Sequence, residues 1–312
     1  MKEYYEDHGP VFLGLMKCDN CGQPVDWSKV VLSQYFIQEQ NLCISCHNKI
    51  DLYSIVKNII KDNFMYYNSY LCLGAHNHTF NFEMKRDEIF VLNFNEYGIP
   101  MSAKILHVNY TPQGGTIFPI EMHGNTPAIK HQYFENKVPL TPALFNLPGV
   151  EDTGNTKIAC SVTWISKEQE NISFSNILDS FEYYSFNEFN KAIIPLNVAV
   201  EEPLSKLMTI IINRKLPNRL SKVKNFLQDY ATYGWQMTIL LPLLMGYEKE
   251  QQLDEKIVGN LNRLKNLRNE LAHDGILTKT LTKGEQADIL TSVLFTHYYL
   301  EYLINKYSPV QI

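Results

Sequence analysis

The sequence contains no stretch that could cross a membrane as a helix. Such a helix needs roughly 18 apolar residues in a row, and the longest candidate here, Met237 to Met245, is far shorter and holds Pro242. Common catalytic fingerprints are missing too. There is no P-loop, no Gly-rich dinucleotide turn, no Gly-x-Ser-x-Gly elbow and no His-Glu-x-x-His. That removes the usual nucleotide-driven, hydride-transfer, esterase and zinc-protease chemistries. An excess of basic charge is lacking as well. The net charge of −5 resides in residues 1–174, and residues 175–312 balance to zero. Any contact with RNA must therefore be local. Internal repeats, low-complexity tracts and long flexible linkers are also missing.

What is present is an ordinary globular composition, 45% hydrophobic and 20% charged, in 312 residues. That is enough for two or three domains with a sizeable core. The opening Lys2, Glu3, Glu6 and Asp7 are unlike a secretory or mitochondrial signal, and the expected location is cytoplasmic. A disulfide framework would suit a smaller secreted chain, and the six cysteines here are better read as a metal site plus two buried thiols. Four are paired as CxxC. Cys72 and Cys160 stand alone in apolar surroundings and are expected to be buried thiols.

The paired cysteines are the sharpest signal. Cys18-Asp19-Asn20-Cys21 is followed, after 21 intervening residues, by Cys43-Ile44-Ser45-Cys46. Each CxxC turn aims two thiolates at one point, and two turns complete a tetrahedron. The expected occupant is one structural zinc ion held by Cys18, Cys21, Cys43 and Cys46. Four thiolates leave no position for substrate or water. His47, next to Cys46, is a less favoured ligand. Both segments resemble the knuckles of a zinc ribbon, a module that docks on nucleic acid or protein.

Three zones follow from pattern. Residues 1–69 carry the cysteines and then a helix marked by Ile50, Tyr53, Ile55, Val56, Ile59, Ile60 and Phe64. Residues 70–174 read as about six short strands, among them Thr79 to Met84, Glu88 to Phe94, Ala103 to Tyr110, Thr116 to Met122 and Lys157 to Ile165. They suggest an antiparallel sandwich or barrel. His76 and His78 lie there at i, i+2, with His107, His123 and His131 in the same zone. They lack an acidic or cysteine partner at ligand spacing, so ordinary strand histidines are expected. Residues 175–312 read as five or six helices in an antiparallel bundle, with Pro195, Pro203, Pro217 and Pro242 expected at helix starts or kinks. The fold class is α+β multidomain.

One helix, from about Leu253 to His273, carries chemistry. Ile257, Leu261, Leu264, Leu267 and Leu271 form its apolar stripe, and Asn262, Asn266, Asn269 and His273 its polar face. Arg268 sits at the edge of the stripe, about 140° from His273. Gly275 is placed to end the helix. Glu201 and Glu202 are candidates to lie near Arg268. Arginine is a permanent cation with a fork suited to phosphate oxygens, and histidine moves protons near neutral pH. A dense basic run, Arg214, Lys215, Arg219, Lys222 and Lys224, could guide an RNA backbone. His297 and Tyr298-Tyr299-Tyr302 are expected to pack the bundle.

The run Leu267-Arg268-Asn269-Glu270-Leu271-Ala272-His273 resembles the signature of the HEPN superfamily, in which an Arg, a polar residue and a His follow one another on a helix of an all-α bundle. The resemblance covers residues 175–308. It implies a homodimer whose two motifs form one site. It also implies metal-independent RNA cleavage to 2′,3′-cyclic phosphate ends, with Arg268, Asn269 and His273 as site residues. The setting it suggests is stress or antiviral defence, with toxin-like activity held by sensor modules until a protein or phage-derived trigger arrives. Members regulated by nucleotidyltransferase antitoxins usually carry Tyr two residues after the His; Gly275 stands here. The competing expectation is a non-catalytic adaptor that binds nucleic acid or protein and dimerises through its bundle.

Overall fold

A computed structural model describes residues 16–37, 42–62, 71, 73, 75–122, 136–145, 154–166 and 172–308. The chain divides into two compact units. One holds Ser69–Glu170, and the other holds Phe12–Asn68 together with Asn171–Ile312. The N-terminal cysteines thus belong with the C-terminal helices.

The first unit is built from β1 (His76–Lys85), β2 (Phe90–Asn93), β3 (Lys104–Pro112), β4 (Ile117–Glu121), β5 (Lys137–Leu144) and β6 (Asn155–Ile165). They form two three-stranded antiparallel sheets, ordered β1-β6-β3 and β2-β5-β4. Alternation on β1 sends Phe80, Phe82 and Met84 inward, where they meet Leu92, Ile117, Leu140 and Ile158 in one core cluster shared by both sheets. No closed barrel forms among the described strands. Burial pushes the Cys160 thiol well up, as expected of an inert core cysteine. His76 stacks on Trp164 at 4.2 Å, and the two histidines of β1 join no metal-competent group among the described residues. His123 and His131 lie outside the described residues, as does Cys72.

Strand β5 has no counterpart in the sequence pattern, because Pro139 and Pro142 interrupt it. Proline cannot donate to a ladder and is normally confined to edges, yet β5 is the central strand of its sheet. The register explains this. Pro142 faces the side of β2, whose pairing ends at Leu140. Pro139 faces the side of β4, beyond its last paired residue, Glu121. The N–H missing at Pro142 falls where β2 has stopped, and the one missing at Pro139 falls one step past the β4 ladder, where Met122 N still donates to the Pro139 carbonyl at 2.9 Å.

The second unit contains α1 (Lys29–Phe36), α2 (Leu52–Lys61), α3 (Ile172–Ser185), α4 (Phe189–Lys215), α5 (Leu220–Asn225), α6 (Tyr233–Trp235), α7 (Leu241–Glu248), α8 (Glu255–Asp274) and α9 (Lys283–Tyr307). Two π-helical turns, Phe226–Tyr230 and Gln236–Leu240, lie beside α6. Helix α9 starts on a capping box between Thr282 and Glu285 and is buried on every face from Ile289 to Leu300. A helix buried on all sides is a core element, and its Thr291, Ser292, Thr296 and His297 are the buried polar groups of that stretch. The N-terminal segment covers part of it. Trp27, Tyr35 and Tyr53 set their rings 5.9, 5.2 and 5.6 Å from Phe295, and Phe36 lies 5.4 Å from Tyr299. The Tyr53 hydroxyl joins Ser292 Oγ at 2.9 Å and accepts from Asn260 Nδ2 at 3.1 Å. This polar triangle ties α2, α8 and α9.

Pro195 and Pro203 sit inside α4 rather than at a start. Pro203 deprives the carbonyl of Ala199 of its helical donor. The hydroxyl of Ser173 donates to that carbonyl at 2.6 Å. With its proton committed, Ser173 Oγ accepts from His297 Nδ1 at 2.9 Å. His297 is therefore a packed core residue that helps repair the helix, and the tyrosines beside it line the same core.

Candidate functional site

The four cysteines converge. Their sulfurs all lie within 4.8 Å of one another, with Cys18 Sγ 3.7 Å from Cys46 Sγ and Cys21 Sγ 3.5 Å from Cys43 Sγ. Zinc–sulfur bonds of about 2.3 Å in a tetrahedron set sulfurs roughly 3.8 Å apart, so the set fits one ion. The two knuckles are near copies. In each, the residue after the second cysteine donates to the first cysteine's carbonyl, Gly22 to Cys18 at 2.8 Å and His47 to Cys43 at 2.9 Å. In each, the residue before the first cysteine bridges to the third residue after the second, Lys17 to Pro24 and Leu42 to Lys49. Gly22 and His47 both adopt positive φ, +70° and +56°. The backbone amides of Cys46 and Ser45 point at Cys43 and bring its thiol down to about 6. Between the knuckles the chain forms helix α1, and among the described residues its β-structure is limited to those two bridges.

Helix α8 runs as the apolar stripe requires. Ile257, Leu261, Leu264 and Leu267 are buried. Gly275 ends it in the left-handed conformation at φ +72°. Arg268 reaches across to α4, where its Nη2 donates to Glu201 Oε1 at 2.6 Å. Both side chains keep about a third of their surface exposed. Tyr233 comes to the same place from α6. Burial holds its phenol well above its ordinary pKa, Glu201 adds to the effect and Arg268 opposes it. Asn269 and His273 are exposed and lie four residues apart on one face. The structure thus joins Arg268 to Glu201, and Asn269 to His273 by face, but it brings Arg268 and His273 to no common partner within one chain. On the helix they are separated by about 7.5 Å of rise and 140° of rotation.

The basic run is partly spent inside the molecule. Lys215 pairs with Glu248 at 3.0 Å and lies over the Tyr247 ring at 4.6 Å, while Arg214 lies over Tyr307 at 5.0 Å. Lys222 and Lys224 are exposed, and so is Arg219, which precedes α5. Sequence reasoning missed Tyr233 and Gln236. The Gln236 amide donates to the carbonyls of Ala231 at 2.8 Å and Leu227 at 3.3 Å, pinning the two π turns together. No periodicity announces a π turn, and only the Gly234-Trp235-Gln236 break hints at irregularity.

No helix among the described residues is long and apolar enough to cross a membrane. Comparison with protein-family models, with curated proteins and with solved structures finds no match. The HEPN resemblance rests on the residues of α8 and the helical character of its surroundings.

Proposed function

We propose that this protein is a metal-independent endoribonuclease of HEPN type, active as a homodimer in the cytoplasm and carrying one structural zinc ion on Cys18, Cys21, Cys43 and Cys46. The observation that carries the reading is α8 itself, with a half-buried Arg268 and an exposed Asn269 and His273 at its C-terminal end. RNA supplies its own nucleophile. The 2′ oxygen forms a bond to phosphorus, the bond to the 5′ oxygen breaks, and a 2′,3′-cyclic phosphate and a 5′-hydroxyl result. Arg268 holds the phosphate oxygens. One His273 takes the 2′ proton and the other, from the second copy, protonates the leaving oxygen. Asn269 orients His273 or the phosphate, and Arg219, Lys222 and Lys224 draw the RNA backbone in. The β unit and the cysteine clip hold the activity until a stress or phage-derived trigger binds.

Two features support the dimer. A single chain leaves Arg268 and His273 facing apart, so a shared site needs two copies. Trp235, Ile239, Leu243 and Tyr247 also recur every fourth residue along Tyr233–Glu248 and are 44–69% exposed. Residues 231–247 hold no charge at all. Phe226 and Tyr230, in the turn just before, are exposed as well, and large exposed apolar and aromatic side chains of this kind mark protein–protein contact surfaces.

The adaptor reading has one observation in its favour, namely that the Arg268 guanidinium already holds a carboxylate. RNA cleavage in EDTA separates the two. Wild type should leave 2′,3′-cyclic ends, and Arg268→Ala and His273→Ala should each lose at least about 100-fold in rate while remaining folded dimers. Equal cleavage by all three proteins would end the nuclease reading.

A further inference from the structure

Along α4, the face carrying Glu201, Glu202, Ser205 and Thr209 is open. Two adjoining hollows run beside it, of about 370 and 600 Å³, and they share Glu202, Ser205 and Leu227. This is the size range of small-ligand sites. The opposite wall is the segment with the two π turns, fixed by Gln236. Departures from α-helical bonding of this kind recur at functional sites.

The two ends differ in chemistry. Glu201, Glu202 and Tyr233 line the end nearest Arg268. Glu201 is occupied by Arg268, whereas Glu202 has no ion-pair partner among the described residues. The Tyr233 hydroxyl is shielded from water and has no hydrogen-bond partner among the described residues. Such a group calls for a ligand atom or an ordered water. The other end is lined by Lys206, Lys224, Ser205 and Thr209; the Thr209 hydroxyl donates to the Ser205 carbonyl at 2.8 Å, which leaves two cations and the Ser205 hydroxyl for an anion with several oxygens. Glu202 and Thr209 lie about 10 Å apart along the helix axis. The ligand that fits is elongated, anionic at one end and rich in N–H donors at the other.

A nucleotide has that shape. Among the bases, guanine alone presents two adjacent N–H donors on its Watson–Crick edge, which one carboxylate accepts together. We propose that this groove binds one guanosine monophosphate unit of single-stranded RNA, with the base at Glu202 and Tyr233 and the phosphate at Lys206 and Lys224. The choice of RNA rests on the nuclease reading. The base, and the residues that select it, go beyond that reading.

The test is calorimetric titration of the full chain with 5′-GMP, AMP, CMP and UMP, and with single-stranded hexanucleotides with and without guanine. The proteins compared are wild type, Glu202→Gln and Lys206→Ala/Lys224→Ala, each checked for an unchanged melting curve. GMP should bind best, and the guanine-containing RNA tighter still. Glu202→Gln should weaken GMP at least about tenfold and bring it level with AMP, while the lysine variant should weaken all four alike. Absence of GMP binding at millimolar concentration, or binding indifferent to both variants, would overturn the proposal. Binding of free GMP without binding of RNA would overturn the RNA assignment. GMP and RNA binding without cleavage would remove the nuclease reading and leave the groove. Cleavage with a base preference that Glu202→Gln does not alter would remove the groove and leave the nuclease.

Discussion

The cysteine clip and helix α8 both announce themselves by short spacings, and the structure treats them in opposite ways. In the clip the spacing completes the site. Two residues between cysteines make one tight turn, both sulfurs face one way, and the second turn repeats the first down to its bridge and its positive φ. On α8 the spacing does no such thing. Five residues along a helix turn the side chain through about 140°, so Arg268 meets Glu201 on α4 while His273 faces solvent. A motif made of turns carries its own geometry, whereas a motif made on a helix carries only directions and takes its partners from elsewhere.

The sharpest way to break this contrast is Cys43→Ser. If the clip is self-sufficient and holds zinc, metal content by mass spectrometry should fall from one ion per chain to none. The cost should reach the helices, since Trp27, Phe36 and Tyr53 seat the N-terminal segment on α9. A loss of roughly 5 kcal/mol, or about 10–20 °C in melting temperature, is expected for the unit containing α9. Wild type that keeps its full melting temperature after a chelator has stripped its metal, or that carries no metal when purified, would remove the zinc assignment.

A smaller effect tests the other half. Glu201→Gln should free the Arg268 guanidinium. A pair about one-third exposed contributes about 1 kcal/mol or less, so affinity for single-stranded RNA should rise roughly two- to fivefold. Fluorescence anisotropy at fixed salt measures it. No change would mean that Arg268 is a structural cation, which is what the adaptor requires.

How much was legible follows the same division. The burial pattern of α8, its glycine stop and five of the six strands could be read, because periodicity and turn residues are local. Strand β5 could not, since Pro139 and Pro142 are tolerated only through the lengths of β2 and β4. The interior prolines of α4 misled for a similar reason, as Ser173 lies far away in sequence and repairs the broken bond. Helix α1 was hidden inside the gap between knuckles. Tyr233 and Gln236 escaped notice because a π turn leaves no apolar rhythm.

The anchoring of α8 beside α9 should depend on acid. Arg263 donates to Glu285 at 2.6 Å, and its hydrogen bond, with those from Thr282, holds the carboxyl down to about 2 from an ordinary 4.5. A folded-state pKa below the unfolded one stabilises above the unfolded value and is lost as pH falls through the folded one. The melting-temperature gap between wild type and Glu285→Gln should therefore be full above pH 4.5 and close toward pH 2. A gap independent of pH would exclude the ion pair as its source.

The smallest effect returns to the clip. His47 holds a φ of +56° where its counterpart is Gly22. A side chain there costs about 1 kcal/mol, and glycine returns part of the gain to the unfolded chain. His47→Gly should thus raise stability by about 0.5 kcal/mol in zinc-saturated protein, with zinc affinity unchanged in a competition titration. A weaker zinc affinity would show that the imidazole belongs to the metal site. The two knuckles would then differ in chemistry, and the clip, like α8, would draw on more than its spacing.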